Sequence, residues 1–173
     1  MQIRTRMCMS ADGYVTTPDG WPAQLADPAW DPEAYGFAEF QARCDAVLMG
    51  RTTFEPAVSA DDWPWADLDV FVLGSCRPSG TPDHVVVDGD PTRLLAEVRA
   101  ANRGGDVHLI GGPRTIETFR CLGALDELGL VVLPLLLGEG MQLTPLVSTD
   151  TGLKLKRERA LPSGAVEILF ACA

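Results

Sequence analysis

Lysine is nearly missing from this chain of 173 residues, with Lys154 and Lys156 the only two, and histidine is as scarce, with His84 and His108 alone. Cationic work therefore falls to arginine, whose planar fork suits phosphates better than an ammonium does. The common catalytic signatures are also missing. There is no G-x-S-x-G elbow, no G-x-x-x-x-G-K-[ST] loop, no H-E-x-x-H and no G-x-G-x-x-G. Both histidines fall within apparent strands, without a nucleophile or ligand set beside them, so packing roles and no metal site are expected. The five cysteines (Cys8, Cys44, Cys76, Cys121, Cys172) are odd in number and form no C-x-x-C. That spacing argues against a disulfide frame or zinc site and for packing thiols in a reducing compartment. No apolar run reaches membrane-spanning length, and residues 1–6 lack the apolar core of a signal peptide, so a cytoplasmic location with no membrane partner is expected. A net charge of −10 argues against nucleic acid as a partner. Without a nucleophile or a metal set, the chemistry must be borrowed from a cofactor.

What is present centres on residues 106–116. Val107 to Ile110 reads as a short buried strand, which stops at Gly111-Gly112 and passes into a helix that aligns Ile116, Phe119 and Leu122. Pro113 suits the first helical position, because its missing N–H would have been unpaired there anyway. A strand, a glycine turn and a helix N-terminus together direct free N–H groups and a helix dipole at one spot, which favours an anion. The same order recurs twice. Residues 45–49 end at Gly50 and lead into Arg51-Thr52-Thr53-Phe54-Glu55, a helix start halted by Pro56. Residues 70–73 lead into Gly74-Ser75-Cys76-Arg77. Three such turns at strand ends point to a dinucleotide or a similar phosphorylated ligand.

Around these turns, residues 2–9 alternate as a strand and Ser10-Ala11-Asp12-Gly13 forms a polar turn. The stretch 16–32 carries four prolines with Trp21 and Trp30, a long loop that either packs or covers a ligand. A helix is expected from Asp31-Pro32-Glu33 to about residue 44, with Phe37 on its apolar stripe. Another follows Asp90-Pro91 as far as Asn102. A strand at 84–87, an apolar strand at 125–133 and a closing hairpin of 153–159 with 165–171 complete the chain. Short strands alternating with helices imply an α/β fold. Its mixed, mostly parallel central sheet has about eight strands, helices on both faces and a C-terminal antiparallel hairpin, in one domain spanning 1–173. The stretch 128–137 is longer and more apolar than one buried strand needs, so a homodimer that buries part of it is expected.

Ala46-Val47-Leu48-Met49-Gly50-Arg51-Thr52-Thr53-Phe54 resembles the apolar strand and M-G-R-x-T-x element of the dihydrofolate reductase superfamily. Leu109-Ile110-Gly111-Gly112, followed by Phe119, is similar to its Gly-Gly cofactor loop. Ser10-Ala11-Asp12-Gly13 resembles the S-x-D-G of the C-terminal reductase domain of bacterial riboflavin-biosynthesis proteins. So does Leu125-Asp126-Glu127-Leu128, continuing through Pro134 to Leu137-Gly138-Glu139-Gly140. The matches run in order over nearly the whole chain, without the deaminase domain of the bifunctional proteins, as in a stand-alone relative.

The resemblance implies a dihydrofolate-reductase-like fold and an NADPH-dependent reductase, like either 5-amino-6-(5-phosphoribosylamino)uracil reductase or dihydrofolate reductase. It would reduce a C=N or C=O bond in a small pterin-, pyrimidine- or ribosylamino-type heterocycle. By similarity Gly50, Thr52, Thr53 and the backbone of Gly111, Gly112, Pro113, Arg114 and Thr115 would hold the pyrophosphate. Arg51, Ser75 and Arg77 would receive the 2′-phosphate, unless the arginines serve surface ion pairs. Asp12 or Glu33 would be the active-site acid, with Trp21, Trp30 and Phe37 also lining the substrate. Asp12-Gly13 also has a plainer reading as a simple turn. Two departures weigh against folate: Ile116 stands where an aromatic residue is usual, and Asp31 and Glu33 are the only acids near the first helix start. A true dihydrofolate reductase and a non-catalytic nucleotide-binding module are the alternatives.

Overall fold

The alternation at the N-terminus produces β1 (Ile3–Ser10), with Ile3, Met7 and Met9 on one face and Arg4, Arg6 and Cys8 on the other. The computed structural model describes residues 1–60, 62–143 and 152–172. After β1 come β2 (Cys44–Gly50), β3 (Asp69–Leu73), β4 (Val86–Asp88), β5 (Asp106–Gly111), β6 (Glu127–Leu133), β7 (Lys154–Ala160) and β8 (Val166–Ala171). They form one sheet in the order β4-β3-β2-β5-β1-β6-β8-β7. The pairs from β4 through β6 are parallel, and the β6–β8 and β8–β7 pairs are antiparallel.

Continuous apolar runs in the central strands let the sheet bury both faces. The first face carries Leu48, Val107, Leu109 and Leu130 under α3 (Pro91–Ala101) and α4 (Pro113–Cys121), which contribute Leu94, Val98, Ile116 and Phe119. The second face is covered in two separate pieces. Phe54 of α2 (Arg51–Val58) and Trp65 cover Val47, Met49 and Val72, while Ala23 and Tyr35 cover Cys8, Val131 and Leu133. Burial pushes the Cys8 thiol up to about 12, consistent with a packing role.

Several expectations need correction. The first helix, α1, spans only Phe37–Gln41. Asp31 does start a turn, accepting the amides of Glu33 at 3.0 Å and Ala34 at 3.3 Å, but Gly36 then takes a left-handed φ of 70° and interrupts the helix. Pro56 does not halt α2, which runs on to Val58 around an exposed proline. Leu122 caps the end of α4 and is 41% exposed instead of joining the buried stripe. His84 precedes β4 and stands exposed, edge-on to Trp63. Of the stretch 128–137, Leu128, Leu130, Val131 and Leu133 are buried within the chain between β1 and β8, while Leu136 beyond the strand is 77% exposed.

His108 of β5 is buried beside Phe40 and lies opposite Arg4 in the sheet. Burial lowers its pKa to about 4, and the neighbouring Arg4 and Arg6 charges add to the effect. Folding therefore holds His108 neutral where the unfolded chain begins to bind a proton. Its contribution to stability is complete above pH 6.5 and fades as the pH falls toward 4. By pH 5 the loss amounts to about 2 kcal/mol. Urea unfolding at pH 7 and pH 5 should show this drop in the native protein and little of it in His108→Leu. An equal drop in both would place the titration elsewhere.

Candidate active site

The three glycine turns lie side by side. β3, β2 and β5 are adjacent and parallel, so Gly74-Ser75, Gly50-Arg51 and Gly111-Gly112 all emerge at the same end of the sheet. Ser10 and Asp12 leave β1 at that end too. The helices that begin there have contrasting caps to α3. Asp90 caps α3, accepting the amides of Thr92 at 2.8 Å and Arg93 at 3.2 Å. By contrast α2 starts on Gly50 and α4 on Gly112, and neither has a side-chain cap. The first-turn amides of α2 and that of Arg114 in α4 are thus left for water or a ligand, since Pro113 has none and the Thr115 amide bonds the Gly112 carbonyl at 2.9 Å.

The two helix starts approach closely because Gly50 has no side chain. A Cβ on Gly50 would fall inside van der Waals contact of Thr115 Oγ1, and one on Gly112 would lie 3.6 Å from Thr53 Oγ1. Gly111 has a φ of 137° that side chains resist, whereas Gly112, at φ −76° and ψ −170°, has an ordinary extended backbone. Neither backbone conformation nor a clash within the chain therefore requires glycine at 112.

The predicted arginines divide. Arg51 packs against Gly74, where a Cβ would lie 3.0 Å from its own, and its half-exposed guanidinium pairs with Glu55 one turn along α2. Arg77 is committed elsewhere, donating to the carbonyls of Val85 at 2.9 Å and Pro82 at 2.6 Å and so closing the loop before β4. Thr52 and Ser75 are exposed and Thr53 is half-buried. Arg114 is exposed and, with Pro113, Tyr14, Met141 and Gln142, lines a cavity of about 420 Å³.

Asp12 ties two loops together. Its carboxylate accepts the amides of Leu137 at 3.1 Å and Gly138 at 2.7 Å. The Ser10 hydroxyl and the Gly138 amide are the main reasons that its pKa falls to about 2, so the group is ionised at neutral pH. The loop after β1 is joined to the same segment by Thr16, whose Oγ1 accepts the Met141 amide at 2.8 Å, and by a Tyr14–Gln142 bridge.

The other expected substrate contacts do not converge. Trp21 is 58% exposed. Trp30 packs edge-on to Tyr35 and Phe37 at 5.4 Å and 5.1 Å, and Phe37 lies beneath the Arg6 guanidinium. Glu33 is exposed, and its carboxylate has no partner among the described residues. Sequence reasoning missed Asp27, a buried acid that accepts the Tyr35 hydroxyl at 3.1 Å and the Ala29 amide at 2.9 Å. In the sequence Asp27 lies within the proline-rich loop of residues 16–32, with no periodic signal to mark it.

Among the described residues no cluster of three or more His, Cys, Asp or Glu could hold a metal ion, and no helix is long and apolar enough to cross a membrane. The uncharacterized protein YwjB of Bacillus subtilis is 26% identical to this chain over 151 residues, covering 87% of it and 86% of the relative. The crystal structure of a candidate riboflavin biosynthesis protein from Shewanella sp. PV-4 superposes with a TM-score of 0.81 at 25% identity, covering 100% of this chain and 99% of that one. A deaminase/5-amino-6-(5-phosphoribosylamino)uracil reductase from Thermotoga maritima shares the fold, with a TM-score of 0.73 at 13% identity, over 99% of this chain and 56% of that one. The fold is thus the dihydrofolate-reductase-like fold of this group. With residues 2–166 matched by its pattern, the chain belongs to the RibD C-terminal domain family.

Proposed function

We propose that this protein is an NADPH-dependent reductase of a small pyrimidine-like or ribosylamino-type substrate. The observation that carries the reading is the pair of uncapped, glycine-initiated helices meeting at adjacent strand ends. A pyrophosphate fits that donor set, because it needs several N–H groups and room for close backbone approach. The Arg51–Thr53 amides and the start of α4 would hold it, and Arg51 would exchange Glu55 for the 2′-phosphate. Ser75, next in sequence to the Gly74 that Arg51 packs against, would share that phosphate, while Arg77 supports the loop. When bound, the dinucleotide supplies a hydride.

The chain's own residues then contribute position. Asp12 Oδ1 and Oδ2 hold the 137–138 amides and so fix the loop that borders the cavity beside Arg114. Kept ionised, Asp12 is suited to orienting a substrate N–H and not to donating a proton. Glu33, exposed and without a partner among the described residues, is the remaining acid from the sequence reading, but it does not form the buried carboxylate that a folate pocket would need. Fixing donor and acceptor carbons in one pose is where most of the rate enhancement would arise. Membership of the RibD C-terminal domain family supports reductase chemistry on a riboflavin-type substrate. Pairing of two copies is part of the same reading, supported by Leu136, which is 77% exposed beside the loop that Asp12 anchors.

The test is NADPH consumption with a panel of pyrimidines and pterins. Turnover on a pyrimidine or ribosylamino compound is expected, and tight binding without any turnover would favour a nucleotide-binding module instead. Arg51→Ala should weaken NADPH about tenfold and leave NADH nearly unchanged. That is the lower end of a charge-assisted contact, since Glu55 must be released first. Equal weakening of both cofactors would remove Arg51 from the 2′-phosphate.

A further inference from the structure

A second cavity, of about 490 Å³, lies on the second face of the sheet between α1 and β7, and shares no lining residue with the cavity beside Arg114. Six of the fourteen basic residues line it: Arg4, Arg6, Arg43, Lys156, Arg157 and Arg159. The acids facing it are Glu39, Glu127 and Glu167, with Asp106 behind Arg4. A protein of net charge −10 thus gathers a positive excess in one concave place. The excess is greatest at Glu167, where Arg6, Arg157 at 2.9 Å and Arg159 at 2.7 Å share a single carboxylate.

Register explains the convergence. Gly129 faces Arg6 across β1 and β6, so no side chain blocks the reach of Arg6 toward β8. Arg4 and Arg6, 4% and 7% exposed, line the cavity from within the sheet, while the side chains of Lys156, Arg157 and Arg159 on β7 are about half exposed. Charge-assisted hydrogen bonds from those accessible groups suit an oxyanion with several acceptor oxygens.

We propose that this basin binds a phosphate monoester of small-metabolite size, at a site separate from the strand-end cleft. A cation would meet the excess of like charge, and the cavity is larger than a bare phosphate needs. The proposal does not depend on the reductase reading.

Calorimetric titration with glycerol 3-phosphate, with inorganic phosphate and with glycerol tests it at constant ionic strength. Saturable binding of glycerol 3-phosphate, tighter than inorganic phosphate and absent for glycerol, is expected. Arg157→Gln and Lys156→Gln, at positions about half exposed, should each weaken it about tenfold while the unfolding midpoint stays near that of the native protein. Arg51→Ala should bind it normally, which separates the basin from the cofactor cleft. A preference for inorganic phosphate would reduce the site to a bare oxyanion site and overturn the ester assignment. No saturable binding, or binding lost in Arg51→Ala and kept in Arg157→Gln, would overturn the site itself. So would a native dimer, indifferent to phosphate, that Arg157→Gln dissociates in sedimentation, since the basin would then be a subunit contact.

Discussion

Glu167→Leu should destabilise the protein by about 3–5 kcal/mol, because it leaves the buried Arg6 guanidinium without its carboxylate. Glu167 is fully buried in β8. Burial alone would raise its pKa, yet Arg6, Arg157 and Arg159 outweigh that effect and hold it below the usual carboxylate range. The Arg6 guanidinium is fixed further by the Tyr35 carbonyl and by the Phe37 ring, 4.9 Å away, so it cannot swing out to water at low cost. The loss should appear as a lower urea midpoint with an unchanged slope. Arg6→Met combined with Glu167→Leu should recover much of it, since a neutral pair leaves no buried charge behind. A cost below about 1 kcal/mol for the single change would mean that water reaches Arg6 and that the pair is effectively a surface one.

That pair also marks where sequence reasoning stopped. The alternation of β1 was legible, and it placed Ile3, Met7 and Met9 toward the core. Nothing in the alternation marked Arg4 and Arg6, on the opposite face, as buried. Both are buried because their partners lie far along the chain, Glu167 being 161 residues from Arg6. Partners that distant leave no periodic trace. The same holds for Asp12, which reads locally as a turn residue and is in fact bonded to amides 125 and 126 residues away.

What was legible was local. Each glycine turn at 50, 74 and 111–112 interrupts an apolar run and precedes a helix or loop, and a parallel sheet brings such ends together. The misreadings were local competitions as well. Gly36 interrupted the turn that Asp31 starts, so the helix begins only at Phe37, and Pro56 was tolerated near an exposed helix end. Arg51 and Arg77 looked alike in sequence. Only the fold shows that one lies at a helix start with a replaceable partner while the other holds two backbone carbonyls.

The largest expected effect on binding is at Gly112. Its backbone angles suit any residue, and a Cβ there makes only an ordinary contact with Thr53. Valine at this position should therefore leave the fold and its unfolding midpoint nearly unchanged, while two methyl groups fill the gap between the starts of α2 and α4. Closing that gap keeps a pyrophosphate from the amides of both helices, so affinity should fall about a hundredfold or more, the equivalent of at least two charge-assisted contacts. NADPH titration of the native protein and of Gly112→Val, with thermal unfolding followed in parallel, tests the placement most directly. Saturable one-to-one binding by the native protein, lost in a variant that unfolds at the same temperature, is the predicted result. Equal affinity in the two proteins, or no saturable binding by the native one, would contradict it.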